Sequence, residues 1–495
     1  MLAADGWEIA VSLTRELDGS AFNEALMELR SVPFRTFSKS RPMHPAFLLP
    51  PAAPAPLRLI ASARLEAWLR DQPEPLRRLA EAAGFRAEAG KALPVYGPDG
   101  SLREVLVGLG EARDPFVLAH LPSALAPGDY ALQEIPPGLD AESLALGWAD
   151  GAYRFTRYKA GDRPRRLMLP AGADMDELSR QASAIDWLRD LINTPPCDMG
   201  PAEIAAAAQA LAGEYGATID ITMGEALESG FPMVHAVGKG ACQAPRHIEL
   251  TWGRPGDPVI AIVGKGVAFD TGGLNIKTSG MGLMKKDMGG AAHALALARL
   301  VMGAGLPVRL VCCIPAVENA IGPNAFRPSD ILRSRKGLSV EVEDTDAEGR
   351  LILADALSRA CEHKPELMID FATLTGAARV ALGPDLAPLY TDDDQLASDL
   401  CAAGAAIGDP VWRMPLWPGY EAGLRSPVAD LKNLGDGPMG GSITAALFLK
   451  AFVVAPRWAH FDIWGWRPAR FGRPAGAAAC GLRAVWSVLR QRYGR

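Results

Sequence analysis

The sequence is poor in histidine and cysteine, and patterns built on these residues and on serine are missing from it. Only 7 of the 495 residues are His and 7 are Cys. There is no HExxH or paired-His ligand pattern, which excludes the usual single-zinc peptidase. A GxSxG nucleophile elbow is also missing, so the sequence does not support a serine hydrolase. The adjacent Cys312 and Cys313 lie in an apolar run, and we interpret them as buried, reduced thiols.

Signals for membranes, secretion and nucleic acids are equally weak. The first residues lack a basic start followed by an apolar run, and no stretch approaches the roughly 18 apolar residues of a membrane span. A formal net charge of −6 argues against a nucleic-acid footprint. We therefore expect a cytoplasmic protein that contacts neither membranes nor nucleic acids.

Length and patterning predict two α/β domains. A chain of 495 residues is too long for one ordinary core. Residues 1–172 are predicted to form a smaller N-terminal α/β domain with a supporting or assembly role, with a helix at LEAWL and strands at 104–110 and 116–121. Residues 173–193 read as a linking helix with one apolar face, and residues 194–495 as the larger catalytic domain.

The second half predicts a mixed, largely parallel central sheet flanked by helices. Apolar runs at VIAIVG (259–264), VRLVCCI (308–314) and LMIDFATL (367–374) alternate with helical stretches. Strands that are apolar on both faces are typical of a sheet buried on both sides. Helices are expected to open near Asp287 and near Glu348.

Charged residues concentrate in three segments next to these predicted strands. The segments are GKGVAFDTGGLNIK (264–277), MGLMKKDMGG (281–290) and DTDAEGR (344–350). Carboxylates gathered at one end of a sheet repel each other unless cations compensate them, which favours bound divalent metal ions. Two ions about 3.5–4 Å apart are a standard hydrolytic arrangement. The carboxylates are Asp270, Asp287, Asp346 and Glu348, and the two lysines beside them are Lys265 and Lys277.

Each of these residues also has a simpler interpretation. Asp287 alone could be a helix N-cap, and Lys265 alone a surface charge. The GKG turn could bind phosphate, but the Walker spacing is absent. His293 and His460 lie in apolar contexts and are expected to be satisfied core residues. The conjunction of residues carries the metal hypothesis.

The same segments resemble the successive motifs of the leucyl aminopeptidase, or cytosol aminopeptidase, family. GKGVAFDTGGLNIK, MKKDMGG, DTDAEGR and FATLTGAARVALG (371–383) carry the resemblance, and INTPPCDM, VADLKN, ITAALFLKAF and WAHFDI follow the family order. The resemblance spans about residues 140–490 and is weak before them. It implies a metal-dependent aminopeptidase that releases N-terminal L-amino acids from peptides through a two-metal-activated bridging water. It also implies a homohexamer.

The resemblance assigns the metal ligands and catalytic groups residue by residue. The ions would be zinc or manganese, and Lys265 would have to be neutral to bind one. Lys277 would donate to the oxyanion of the tetrahedral intermediate. Arg350 would hold a bicarbonate ion that acts as general base for the bridging water. The tightly held ion would use Lys265, Asp270, Asp287 and Glu348, and the exchangeable ion Asp270, Asp346 and Glu348.

Substrate contacts are also implied, together with two departures from the family pattern. Leu374 and Gly376 would offer backbone contacts, and the first side chain would border Met284, Thr373, Trp464 and Arg467. Asp344 stands where the family usually has Asn, which adds negative charge beside the metals. Trp464 stands where the family commonly has a small residue. We expect a shallower or reshaped pocket, unless Trp464 packs elsewhere, so a preference for leucine is not assumed.

Two rival functions stay open at this point. The chain could keep the fold as a binding or regulatory scaffold, with DNA binding as one variant of that reading. It could also be a different metallohydrolase that acts on another ester or amide class. Retention of all inferred ligands favours an active aminopeptidase over both.

Overall fold

The protein contains two main β-sheets, each accompanied by helices. The computed structural model describes residues 43–49, 53–111, 116–170 and 172–494. Within these ranges the sheets have six and nine strands, and the α/β class is confirmed. The predicted domain boundaries stay predictions, and residues 1–42 of the first predicted domain lie outside the described residues.

The six-stranded sheet occupies the first part of the described chain. Its strands are β1 (Phe47–Leu48), β2 (Ala55–Ile60), β3 (Ala92–Tyr96), β4 (Leu102–Gly108), β5 (Gly128–Leu132) and β6 (Arg165–Met168). They lie in the order β1-β6-β5-β2-β4-β3, and only the pairing of β3 with β4 is antiparallel. The accompanying helices are α1 (Leu65–Arg70), α2 (Glu74–Ala82), α3 (Leu121–Ala124) and α4 (Ala141–Ala152).

Two predictions for this half are confirmed and one is wrong. Helix α1 contains the LEAWL segment, and β4 covers most of the strand predicted at 104–110. Residues 116–121, predicted as a strand, instead form a 3₁₀ helix (Val117–His120) that continues into α3. Leu118 and its neighbours are buried on every side, and a short apolar run of this kind does not distinguish a strand from a buried helix.

Helix α5 (Met175–Asn193) connects this half to the rest, as predicted from its apolar face. The Asp174 carboxylate caps it by accepting the Glu177 backbone N–H at 3.0 Å. Leu188 and Ile192 are fully buried, and the helix packs against the long helix α9 (Gly289–Ala304). Helix α5 therefore packs onto α9, which in turn packs on strand β9 of the larger sheet.

The nine-stranded sheet confirms the predicted mixed, largely parallel arrangement. Five of its eight strand pairings are parallel, including those among β18, β14, β9 and β11 at its centre. Its strands are β7 (Thr218–Thr222), β8 (Arg246–Trp252), β9 (Val259–Gly264), β10 (Gly266–Asp270), β11 (Arg309–Asn319), β14 (Leu367–Ala372), β15 (Ala387–Tyr390), β16 (Val411–Arg413) and β18 (Trp458–Asp462). The order is β16-β15-β18-β14-β9-β11-β8-β7, with β10 paired to β11.

The remaining elements surround this sheet. The helices are α6 (Pro201–Tyr215), α7 (Gly224–Gly230), α8 (Pro232–Gly238), α9, α10 (Glu348–Glu362), α11 (Gly376–Leu382), α12 (Asp394–Ala406), α13 (Gly441–Lys450) and α14 (Leu482–Tyr493). Small sheets are formed by β12 (Ile331–Arg333), β13 (Ser339–Glu341) and β17 (Leu431–Lys432), and by β19 (Trp466–Arg467) with β20 (Gly476–Ala477). Among the described residues, no helix combines the length and apolar character that a membrane crossing requires.

The structure adds detail to the chemistry-bearing segments. Part of the segment 264–277 is itself a strand, β10, which pairs with β11. Helix α9 opens two residues after Asp287, which confirms that prediction, although Asp287 itself lies in the 3₁₀ helix (Met281–Met288) that precedes α9. The apolar strand before DTDAEGR is β13, which belongs to a small separate sheet and not to the central one. Helix α10 does begin at Glu348, as expected.

The two histidines interpreted as satisfied core residues are both buried, but only His293 has both ring nitrogens bonded, since His460 Nε2 has no partner among the described residues. The His293 ring bonds the Gly289 carbonyl at 2.6 Å and accepts the Cys480 N–H at 3.0 Å. Burial lowers the pKa of His293 to about 4, so the ring is neutral near pH 7. His460 pairs instead with Asp370 at 2.5 Å. All seven cysteines are free thiols, and Cys312 and Cys313 are buried.

Candidate active site

Three buried carboxylates meet where the central strands end. Asp270, Asp287 and Glu348 are each at most 3% exposed, and one ligand oxygen from each lies within 4.8 Å of the others. Lys265, directly after β9, places its Nζ 2.7 Å from Asp287 Oδ2 and 2.9 Å from Glu348 Oε1. It also donates to the Thr373 carbonyl at 3.0 Å. The structure thus brings together four residues that are far apart in sequence.

The approach of Lys265 to helix α10 requires a glycine at position 349. A Cβ placed at Gly349 would lie 2.5 Å from Lys265 Cε and 2.6 Å from its Nζ. Any side chain there would displace the ammonium group from Glu348. The DTDAEGR segment therefore supplies a carboxylate together with the space in which Lys265 approaches it.

A second lysine closes the solvent side of the cluster. Lys277 Nζ lies 2.7 Å from Asp270 Oδ2 and is also paired with Asp346. Asp346 is the more exposed member, since its side chain is 33% exposed. The Asp344 carboxylate accepts the Asp346 backbone N–H at 2.8 Å, so this departure from the family pattern acts one residue away from the cluster.

Asn319 is a site residue that the sequence reasoning missed. It ends β11 and is fully buried, and its amide donates to Asp270 Oδ1 at 2.8 Å and to the Thr345 carbonyl at 3.1 Å. This amide holds the Asp270 carboxylate in place. Its only sequence signal is a polar residue at the end of a long apolar strand.

The electrostatics of the cluster indicate a deficit of positive charge. Burial, aided by the charge of Asp270, raises the pKa of Glu348 to about 8. The same two causes raise the pKa of Asp346 to about 6. Burial opposes the charge on Lys265, but Asp287 and Glu348 outweigh it and hold its pKa above the usual range.

Carboxylates with raised pKa values would ionise fully beside a divalent cation. The donor set of carboxylate oxygens plus one amine therefore fits hard or borderline metal ions. Such an ion would have to displace the proton from Lys265, whose ammonium is ion-paired in this structure. Metal binding is then coupled to proton release.

Arg350 lies beside the cluster with an unsatisfied donor. It is 6% exposed, and one terminal nitrogen donates to the Asn433 carbonyl at 2.8 Å. Its Nε has no partner among the described residues. Burial lowers the pKa of Arg350 to about 10, which leaves the side chain charged near pH 7.

The residues expected to contact substrate differ in their burial and in their hydrogen bonds. Thr373 Oγ1 donates to Asp287 Oδ1 at 2.8 Å, which ties the pocket wall to the carboxylates. Met284 is largely buried, and Trp464 is half-buried. The Leu374 N–H is taken by Asp462 at 3.0 Å, so only its carbonyl is left for a peptide. Gly376, at the start of α11, faces open space.

Arg467 is placed differently from the prediction. Its guanidinium forms two hydrogen bonds of 2.6 and 2.8 Å with the carboxylate of Asp150 in helix α4. Arg189 also pairs with Asp150, at 2.6 Å. Because this buried carboxylate attracts the side chain, Arg467 joins the N-terminal half to the rest of the protein instead of bordering the pocket beside Trp464.

Comparisons with known proteins place both halves of the chain in one family. The catalytic-domain model of the cytosol aminopeptidase family matches residues 186–486, and the M17 aminopeptidase N-terminal domain model matches residues 55–170. A probable cytosol aminopeptidase of Roseiflexus castenholzii is 38% identical over 459 residues, covering 84% of this chain and 93% of the relative. One from Xanthomonas axonopodis pv. citri is 43% identical over 409 residues, covering 76% and 83%.

Solved structures agree with this assignment. The crystal structure of cytosol aminopeptidase from Coxiella burnetii superposes with a TM-score of 0.87 at 43% identity, covering 90% of this chain and 99% of that one. The bottromycin maturation enzyme BotP in complex with Mn gives a TM-score of 0.81 at 32% identity, covering 89% and 100%.

Proposed function

The chain belongs to the cytosol aminopeptidase family and is a metal-dependent aminopeptidase, and we propose that two divalent ions at the Asp270 cluster serve its reaction. The observation that supports this proposal is a cluster of three buried carboxylates whose ligand oxygens lie within 4.8 Å of one another, two of them ion-paired with Lys265. The reaction is hydrolysis of the first peptide bond, which releases an N-terminal L-amino acid.

The side chains present divide into two ligand sets. Lys265, Asp270, Asp287 and Glu348 would hold one ion, and Asp346 would join Asp270 and Glu348 at the more exposed position. Zinc or manganese suits this donor set, and the structure of BotP with Mn supports manganese as one candidate. Bound ions of this kind polarise a carbonyl and activate water at neutral pH.

Lys277 would provide the charge that stabilises the oxyanion. Its ammonium stands at the solvent side of the cluster, paired with Asp270 and Asp346, and these carboxylates hold its pKa above the usual range although burial opposes the charge. It is therefore a permanent cation near pH 7. A fixed cation directed at the developing negative charge lowers the barrier because it needs no reorganisation.

Arg350 would hold a small anion such as bicarbonate, which would serve as general base. The support is the buried guanidinium with one unpartnered nitrogen, next but one to Glu348 in helix α10. By resemblance to the family we also propose a cytoplasmic homohexamer. Sedimentation of the purified chain would test the hexamer.

The test of the proposed function compares matched substrates with and without a free amine. Leucine p-nitroanilide and its N-acetyl derivative are offered to the manganese-loaded protein. Cleavage of the first and not the second is expected, because the free amine has to be recognised at the acidic cluster. Equal cleavage of both would favour a different amidohydrolase. If neither is cleaved, and no substrate in a wider aminoacyl panel is cleaved either, the scaffold interpretation is favoured.

Substituting Trp464 by alanine should change the preference for the first side chain. Trp464 precedes Gly465, where an added Cβ would lie 3.5 Å from Thr373 Cγ2, so the indole is attached to backbone next to Thr373. Its removal should raise kcat/KM for leucine and methionine relative to alanine substrates by about tenfold. This is the size of effect expected when a pocket accommodates one or two more methylene groups of the substrate. A panel of aminoacyl p-nitroanilides measures this.

Trp466→Ala is the matched control, because it removes an indole two positions along in β19. It should leave the ranking of substrates unchanged. An unchanged ranking in Trp464→Ala would mean that Trp464 does not shape the pocket.

A further inference from the structure

Lys286 is a buried cation for which the catalytic scheme has no use. It lies in the 3₁₀ helix Met281–Met288, directly before Asp287, and only 2% of the residue is exposed. Within the part of the chain that the structure describes, its Nζ forms neither a hydrogen bond nor an ion pair. Its Nζ contacts the Trp464 ring instead, and a buried ammonium without an anionic partner is costly, so this group suggests that a ligand supplies the missing anion.

The neighbouring carboxylates are already engaged by other groups. Asp287 is paired with Lys265 and accepts from Thr373 Oγ1. Asp462 accepts from the Leu374 and Thr375 N–H groups at 3.0 Å and from the Thr375 hydroxyl at 2.6 Å. Both lie close enough to influence the Lys286 ammonium electrostatically, but neither accepts a hydrogen bond from it.

The ammonium lies against Trp464, which by resemblance to the family would border the pocket for the first side chain. Lys286 Nζ is 3.8 Å from the centroid of the Trp464 ring, and the guanidinium carbon of Arg379 lies 4.2 Å from the same centroid. Arg379 is exposed and Lys286 is buried, so the indole carries one cation on its solvent side and one on its inner side. Thr373, which bonds Asp287, lies beside the adjacent Gly465.

We propose that Lys286 selects peptides whose N-terminal residue is glutamate or aspartate, by pairing with the side-chain carboxylate. This inference rests on the proposed aminopeptidase function and specifies its substrate class. A carboxylate in the pocket meets the Arg379 guanidinium near the entrance and the Lys286 ammonium beside the indole. N-terminal lysine and arginine, in contrast, are repelled by both groups.

The closing experiment compares substrates that differ only in charge. Glutamate and glutamine p-nitroanilides have nearly the same shape, so their ratio of kcat/KM in the manganese-loaded enzyme isolates recognition of the carboxylate. A ratio of at least about ten is expected from one charge-assisted pair at a buried site. Lys286→Met, which keeps the length of the side chain, should lower this ratio to about one.

Lys285→Met is the matched control. The Lys285 ammonium donates to the Asn193 carbonyl at 2.7 Å and lies 5.4 Å from the ring of Trp466, so its loss should not change the ratio. If Lys286→Met does not fold, as judged by its thermal melting, the exposed Arg379→Gln should still lower the ratio by about threefold.

The possible results separate the inference from its premise. Brisk cleavage of leucine substrate with a glutamate-to-glutamine ratio of one or less would overturn the role of Lys286. A high ratio that persists in Lys286→Met, or in Arg379→Gln where the former does not fold, would do the same. Failure to cleave any aminoacyl substrate would overturn the proposed aminopeptidase function itself.

Discussion

Replacing Glu348 by alanine should lower kcat/KM for aminoacyl p-nitroanilides by at least about a thousandfold, since several kcal/mol of metal-dependent stabilisation would be lost. Glu348 is 1% exposed, and with Asp270 it is one of the two carboxylates common to both proposed ligand sets. Its loss would leave Lys265 paired with Asp287 alone. We therefore expect the purified variant to hold less metal as well as to turn over less substrate.

The control for this variant lies on the same helix. Glu362 ends α10 and pairs with Arg335 and Arg359 near the surface, where ion pairs contribute roughly 1 kcal/mol or less. Glu362→Ala should keep full metal content and nearly full activity. Glu348→Ala with wild-type activity and metal content would show that the cluster is not the catalytic site.

The Lys277→Met variant should lose about 10²–10³ in kcat, the usual effect of removing one donor to an oxyanion. Its metal content should not fall, because in this structure the ammonium pairs with Asp270 and Asp346 and competes with a cation for them. Activity and metal binding should thus separate in this variant, whereas both decline in Glu348→Ala.

Steady-state kinetics with metal analysis of the same preparation tests the Lys277 prediction. Lys432→Met serves as the matched control, because it also removes an ammonium that is paired with two carboxylates, those of Glu343 and Asp436. A loss of metal together with activity in Lys277→Met would mean that Lys277 organises the ligands and does not act on the oxyanion.

The sequence was most informative where burial leaves a simple pattern. The run at 259–264 is apolar throughout because β9 is covered on both faces, and its predicted bounds agree with the structure. The run at 116–121 is equally apolar, yet it forms a 3₁₀ helix, because full burial removes the alternation that separates strands from helices. The segment packs against helix α4, and a tertiary contact of this kind is not visible in one sequence.

The charged residues of the candidate site could be predicted from the sequence, but the residues that hold them in place could not. Lys265, Asp287 and Glu348 are predicted to converge because their segments lie next to predicted strands, and they do converge. Asn319 was missed because its role depends on which carboxylate lies across the sheet edge. Arg467 is assigned to the pocket by the family resemblance, but its guanidinium is hydrogen-bonded to Asp150 in helix α4.

Metal titration of the stripped protein tests the central claim most directly. Protein freed of metal by a chelator is mixed with increasing manganese, and leucine p-nitroanilide hydrolysis is measured at each ratio. We predict no activity at the start and a rise that reaches its plateau near two ions per chain, with little recovery by Glu348→Ala. Full activity in the stripped wild-type protein, or equal recovery in the variant, would contradict the account.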